Sequence, residues 1–169
     1  LAPAGDMTSL AAALDAGADA VYLGLDTLNM RRMATRNFTR DTLPEASARC
    51  RARGVRLYLT VNALVYEGDL AELAAPLAFA QPFIDAAIVA DWAAVAACRE
   101  LRIPFHISTQ FACANSATAR FLKAQGAARV ILARECTLDE VAAIARESGL
   151  DVETFVHGAM CVAVSGRCL

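Results

Sequence analysis

Short apolar runs alternate with longer amphipathic stretches along the whole chain. The runs are Leu1–Pro3, Ala20–Gly24, Val55–Asn62, Ile84–Ala90, Phe105–Ser108, Arg129–Leu132 and Asp151–Val156. Each is short, mostly apolar and flanked by turn-forming residues, as strands covered on both faces should be. The stretches between them place apolar side chains at helical spacing and carry start and stop signals. Asp69-x-x-Glu72 and Thr137-x-x-Glu140 have capping-box spacing. Asp91 and Asn115 or Ser116 are candidate N-caps, and Gly17, Gly54, Gly126 and Gly149 fall where helices should stop.

Regular strand–helix alternation with right-handed crossovers gives a parallel sheet. Seven such strands predict an α/β fold, a (β/α) TIM-like barrel truncated at its C-terminal end. A doubly wound open sheet is the competing arrangement. It loses support because no Gly-x-Gly-x-x-Gly follows the first strand; Gly5-Asp6 is not that fingerprint. The chain begins without Met inside a strand and stops inside a motif. Residues 1–169 are therefore expected to be one partial barrel domain of a longer protein.

Composition narrows the function classes. The 169 residues suffice for a proper core, and 57% hydrophobic against 20% charged residues is globular, not disordered. The longest apolar runs are broken by Glu72 and Asp91, so no membrane span is expected. Sixteen basic and 18 acidic residues leave a net charge of −2, so any RNA contact has to be local. The six cysteines, Cys50, Cys98, Cys113, Cys136, Cys161 and Cys168, sit in a chain with ample apolar core. That favours reduced thiols and a cytoplasmic protein over a disulfide scaffold.

In a barrel, chemistry collects at the carboxyl ends of the strands. Asp6, Asn62, Asp91, Thr109, Gln110, Arg134, Glu135 and His157 all follow strands there, with His106 inside one. Asp91 reads first as a helix cap, and His106 as a packed core imidazole. Asn62 and Gln110 suit a substrate's polar groups. Glu135 suits either a substrate or an arginine, Arg134 or Arg129. Between Leu25 and Arg40 lie Arg31, Arg32, Arg36 and Arg40, with Asp26 the only acid. Such a loop over the mouth fits an anionic partner, a carboxylate or an RNA phosphate, and equally fits an ordinary solvated loop. Its one aromatic residue, Phe38, gives little basis for base stacking.

The densest chemistry is at the end. Cys161 and Cys168 flank Ser165, Gly166 and Arg167 on a loop after the last strand. Two such thiols can ligate a metal or cluster, or one can be a nucleophile; a buried free cysteine with an accidental neighbour also fits. His157 lies four residues before Cys161 and could activate it, with Glu153 orienting the imidazole if the strand runs unbroken. No His-Glu-x-x-His occurs, and the short cysteine spacing of zinc sites is absent. Cys113 and Cys136 also follow strands, but read as small apolar fillers.

Glu153-x-Phe155-x-x-Gly158-Ala159-Met160-Cys161, then four residues, then Gly166-x-Cys168, resembles the signature of the collagenase-like peptidases, family U32. The resemblance extends through Leu1-Ala-Pro3-Ala-Gly5-Asp6, Gly17 to Gly24, Asn37-Phe38, Ile107 to Gln110 and Arg134-Glu135, in the family's order. It implies one of two activities. Some members are named for collagen degradation. Others are oxygen-independent hydroxylases of tRNA, ribosomal RNA or ubiquinone precursors, holding an iron–sulfur cluster on four cysteines, with prephenate as a possible hydroxyl source. On that implication Cys161 and Cys168 are two ligands of a four-iron four-sulfur cluster, and the other two lie past Leu169. This chain alone would then hold no cluster. Denatured collagen is the substrate under the peptidase alternative. A third possibility is a non-catalytic subunit, since some members work as paired subunits.

Overall fold

Asp6 starts the first helix by a reciprocal cap. Its Oδ1 accepts from Ser9 N at 2.8 Å, and Ser9 Oγ accepts from Asp6 N at 3.0 Å. The same local logic recurs along the chain. Asp91 caps through Ala93 N, Asn115 through Thr118 N, and Thr137 with Glu140 closes the predicted capping box. Asp69 departs from expectation. Its carboxylate accepts from Tyr66 N at 3.0 Å instead of capping the helix it precedes. A 3-10 turn over Glu67–Asp69 uses that side chain before the helix begins.

The computed structural model describes residues 1–26, 37–158 and 161–167. They fall into two compact units, Leu1–Ile103 and Pro104–Leu169. The first unit runs β1 (Ala2–Pro3), α1 (Met7–Asp15), β2 (Ala20–Gly24), α2 (Leu43–Ala52), β3 (Arg56–Val61), α3 (Leu70–Ala80), β4 (Ala86–Val89) and α4 (Trp92–Glu100). Its strands pair in parallel in chain order, with Val21 opposite Ala2 and Leu57, and Leu59 opposite Leu23 and Ala87. Leu10, Val21, Leu43, Leu77, Ala87, Val89 and Cys98 are fully buried there.

The second unit runs β5 (Phe105–Ile107), α5 (Ser116–Ala124), β6 (Arg129–Ile131), α6 (Leu138–Ser148) and β7 (Asp151–Glu153). These strands are also parallel in chain order, with Val130 opposite both Ile107 and Val152. Ile107, Cys113, Ala119, Leu122 and Val130 form its core. Gly149 ends α6 with φ +58°, where an L-residue would be strained. In neither unit does the strand order reverse, so neither contains the switch point of a doubly wound sheet. The fold class is α/β of the (β/α) barrel type, truncated, with seven strands among the described residues.

Every strand except β2 is shorter than its apolar run. The largest differences are at β4, where the run Ile84–Ala90 yields Ala86–Val89, and at β7, expected to reach Val156 and ending at Glu153. Leu132 N still donates to Glu153 O at 2.9 Å. Two residues on, Arg134 N donates to Ser165 Oγ instead, so the exit of β6 is taken by a later loop and the ladder stops. No helix among the described residues is long and apolar enough to cross a membrane.

Candidate functional site

The second unit gathers the carboxyl ends of β5, β6 and β7 on one edge, because the three strands are parallel. After β5 the chain makes a 3-10 turn over Thr109–Phe111, started by Ser108. Ser108 Oγ lies 3.2 Å from Gln110 Oε1 and donates to it. Thr109 Oγ1 donates to Leu132 O at 3.1 Å, and Ala133 N donates to Cys113 O at 2.9 Å. These bonds fix the β5 and β6 exits as one platform.

The cysteine loop sits on that platform. Ser165 is 3% exposed although its neighbours Val164 and Gly166 are exposed. Its N donates to Glu135 Oε1 at 3.0 Å, and its Oγ accepts from Arg134 N at 3.1 Å. Gly166 follows with φ +74°. A Cβ there would lie 2.6 Å from Gln110 O and 2.9 Å from the Ala112 methyl. Only glycine lets the loop backbone approach the β5 exit so closely. Arg167 N closes the turn onto Val164 O at 2.9 Å.

Glu135 is therefore the loop's fastener. Its carboxyl is held below the usual carboxylate range, first by the Ser165 N–H, then by its own backbone N–H, with Arg134 adding a smaller favourable field. A folded-state value below the unfolded one contributes docking above the unfolded value, and the contribution is lost as pH falls through the folded one. Protection of the Ser165 amide from hydrogen exchange, corrected for intrinsic rate, is expected to fall in that acid window. Glu135→Ala should remove the protection at neutral pH. Glu135→Gln keeps an acceptor oxygen, and should retain partial protection while abolishing the pH dependence.

The expected site residues divide as follows. Gln110 and Glu135 meet through the cysteine loop, Gln110 by its carbonyl and Glu135 by its side chain. Asn62 follows β3 and belongs to the first unit. Cys161 and His157 are both exposed, and among the described residues no hydrogen bond joins them. Glu153 does not orient His157: β7 ends at Glu153, and its Oε2 lies 3.3 Å from Arg129 Nη1. Burial raises the Glu153 carboxyl despite that arginine. Arg31, Arg32 and Arg36 of the basic loop, and Cys168, lie outside the described residues. His106 is buried within β5, as a packed imidazole would be.

Burial disfavours the thiolate at Cys50, Cys98, Cys113 and Cys136. Cys98 is fully buried, and burial pushes it up to about 12. Burial also raises Cys50 and Cys113, and Cys136 is raised by burial and by the charges of Glu140 and Glu135. Among the described residues no three His, Cys, Asp or Glu side chains form a ready metal site. Cys161 is the one exposed cysteine among them.

Sequence reasoning missed Ser165 as an anchor and missed the pairing of Arg134 with Phe155. The Arg134 guanidinium carbon stands 4.7 Å from the centroid of the Phe155 ring. Both residues lie in motifs, but nothing in their spacing brings positions 134 and 155 together.

A family model described as peptidase family U32 matches residues 5–169. The chain is 45% identical to a protein of Methanocaldococcus jannaschii described as an uncharacterized protease, over 99% of this chain and 42% of that one. It is 39% identical to a collagenase of Porphyromonas gingivalis, over 99% and 43%. It is 34% identical to a tRNA hydroxylation protein of Bacillus subtilis, over 100% and 40%. The chain thus spans about two fifths of the length of these curated relatives. A solved structure of a U32 peptidase superposes with a TM-score of 0.71 at 15% identity, over 90% of this chain and 66% of that one. At that identity the match bears on fold alone.

Proposed function

Because the chain belongs to peptidase family U32, we propose that it is part of an enzyme that hydroxylates RNA, tRNA or ribosomal RNA, by an iron–sulfur-dependent, oxygen-independent route. The observation that carries this reading is the seating of the cysteine loop. Ser165 and Gly166 fasten it to two strand exits while Cys161 stays exposed. A nucleophilic cysteine needs a base at hydrogen-bonding distance, whereas a cluster ligand needs a fixed backbone and an accessible sulfur. The loop meets the second requirement.

The donor chemistry fits a cluster. Thiolates are its usual ligands, and loops supply them. Cys161 and Cys168 would hold two corners, with the other two thiolates coming from residues outside this chain. When bound, such a cluster supplies one-electron chemistry. This chain's own residues bind and orient. Gln110, with its Oε1 engaged by Ser108, would turn its amide nitrogen to a substrate carbonyl. Arg31 and Arg32 would offer charge to an RNA phosphate or a small carboxylate such as prephenate. The tRNA hydroxylation relative supports RNA as the substrate class.

The peptidase reading keeps one specific support: the relatives at 45% and 39% identity are named as a protease and a collagenase. The test compares both. Full-length protein purified without air should be coloured and contain about four irons per chain. RNA from cells lacking the protein should lose a hydroxylated nucleoside by mass spectrometry. A colourless, iron-free preparation that cleaves gelatin, and loses that cleavage on Cys161→Ser or His157→Ala, would reverse the assignment.

A further inference from the structure

The net charge of −2 gives RNA no general attraction to this chain, so a binding contact has to be built locally. The geometry points to Arg134 and Phe155 as a contact for a single-stranded nucleotide of the RNA substrate, the ring stacking on a base and the guanidinium taking a phosphate. The inference rests on the proposed RNA reading and names a place where the strand is held.

Three observations converge on the pair. First, the backbone of Arg134 is fixed, because its N–H is spent on the buried Ser165 hydroxyl. Its side chain therefore leaves from a rigid point beside the cysteine loop. Second, the guanidinium lies over the Phe155 ring and, among the described residues, takes no carboxylate or carbonyl partner. Three other arginines of the second unit behave differently. Arg129 pairs with Glu153 and Asp151, and Arg120 and Arg146 pair with Glu147. Third, Phe155 is 50% exposed and is followed by Val156 at 95% and an exposed His157. An aromatic ring left half in water, beside a planar fork of donors with no ion-pair partner among the described residues, is costly to hydrate and suited to a base–phosphate step.

The chemistry separates the two side chains. Stacking on an aromatic ring is tolerant of base identity and insensitive to salt, while a guanidinium–phosphate contact releases counterions. Glu135, the nearest acid in sequence, is engaged by the Ser165 N–H and projects into the loop clamp. Arg134 also touches the cysteine loop through Ser165, so a strand held there passes beside that loop.

The test uses the full-length protein and an in vitro transcribed tRNA, with affinity read by fluorescence anisotropy across a salt series. Phe155→Leu is expected to weaken binding roughly 10-fold with an unchanged salt slope. Arg134→Gln is expected to weaken binding and lower the slope of log K against log salt by about 0.7. Arg134→Lys should restore the slope. Iron content and the reactivity of Cys161 towards a thiol reagent should not move, because Arg134 holds Ser165 through its backbone N–H and not through its side chain. Wild-type affinity and slope in both Phe155→Leu and Arg134→Gln would overturn this inference and leave the RNA reading standing. A wild-type protein that binds no RNA would overturn both.

Discussion

Gly166→Ala is expected to release the cysteine loop from the strands that seat it. Two costs act together. The residue holds φ +74°, a left-handed conformation that costs an L-residue roughly 1–2 kcal/mol. The added methyl would also stand 2.6 Å from the carbonyl oxygen of Gln110, a backbone atom that cannot rotate away. That carbonyl belongs to a turn closed by Ser108 and tied to β6 through Thr109, so the loop moves, not the platform. The sum is about 2 kcal/mol or more, or roughly thirty-fold in the docked-to-undocked ratio. Hydrogen exchange at Ser165 and Arg167 should rise accordingly, while α5 and α6 keep their protection. In the full-length protein, iron content should fall with it. Exchange unchanged from wild type would mean that the loop is not seated through Gly166.

If the proposed cluster is held as inferred, Cys161→Ser is expected to take the full-length, anaerobically purified protein from about four irons per chain to almost none, with loss of colour. The alkoxide of serine is a far harder and more basic ligand than a thiolate, and a cluster short of one thiolate is readily lost. The contrast with other cysteines makes the result specific. Cys113 is fully buried, its thiol donates to Asn115 O at 3.8 Å, and burial raises it. Cys98 is raised to about 12 and is protonated at neutral pH. Cys98→Ala and Cys113→Ala should therefore keep their iron, at some cost in thermal stability from the removed sulfur. Loss of iron in Cys113→Ala, with retention in Cys161→Ser, would move the cluster to the β5 exit.

The site also explains how a short motif does two jobs. On the proposed reading Cys161 and Cys168 carry the chemistry, while Ser165 and Gly166 between them dock the loop. Ser165 is nearly inaccessible and spends its N–H and its hydroxyl on the residues that leave β6. Glu135 is drawn into that docking, which is why its carboxyl is held low and why its role as a substrate contact is not the one its hydrogen bonds support.

The sequence by itself determined the alternation of strands and helices. Each apolar run is bounded by its own turn chemistry, and Asp91, Asn115 and Thr137 cap helices through atoms two or three residues away. Gly17, Gly54, Gly126 and Gly149 all adopt the positive φ that stops a helix. Such interactions are local, so the pattern that encodes them can be read along the chain. Where the capping signal had a competitor at equal range, as Asp69 had in the Tyr66 amide, the spacing misled. What only the tertiary structure decided involves residues brought together across 21 to 56 positions: Ser165 with Glu135, Gly166 with Gln110, and Arg134 with Phe155. Those partners meet because parallel pairing of β5, β6 and β7 brings three strand ends to one edge, and no periodicity in the chain specifies which side chains then touch. The same pairing ended β7 at Glu153, because the next backbone donor on the β6 side had already been taken by Ser165.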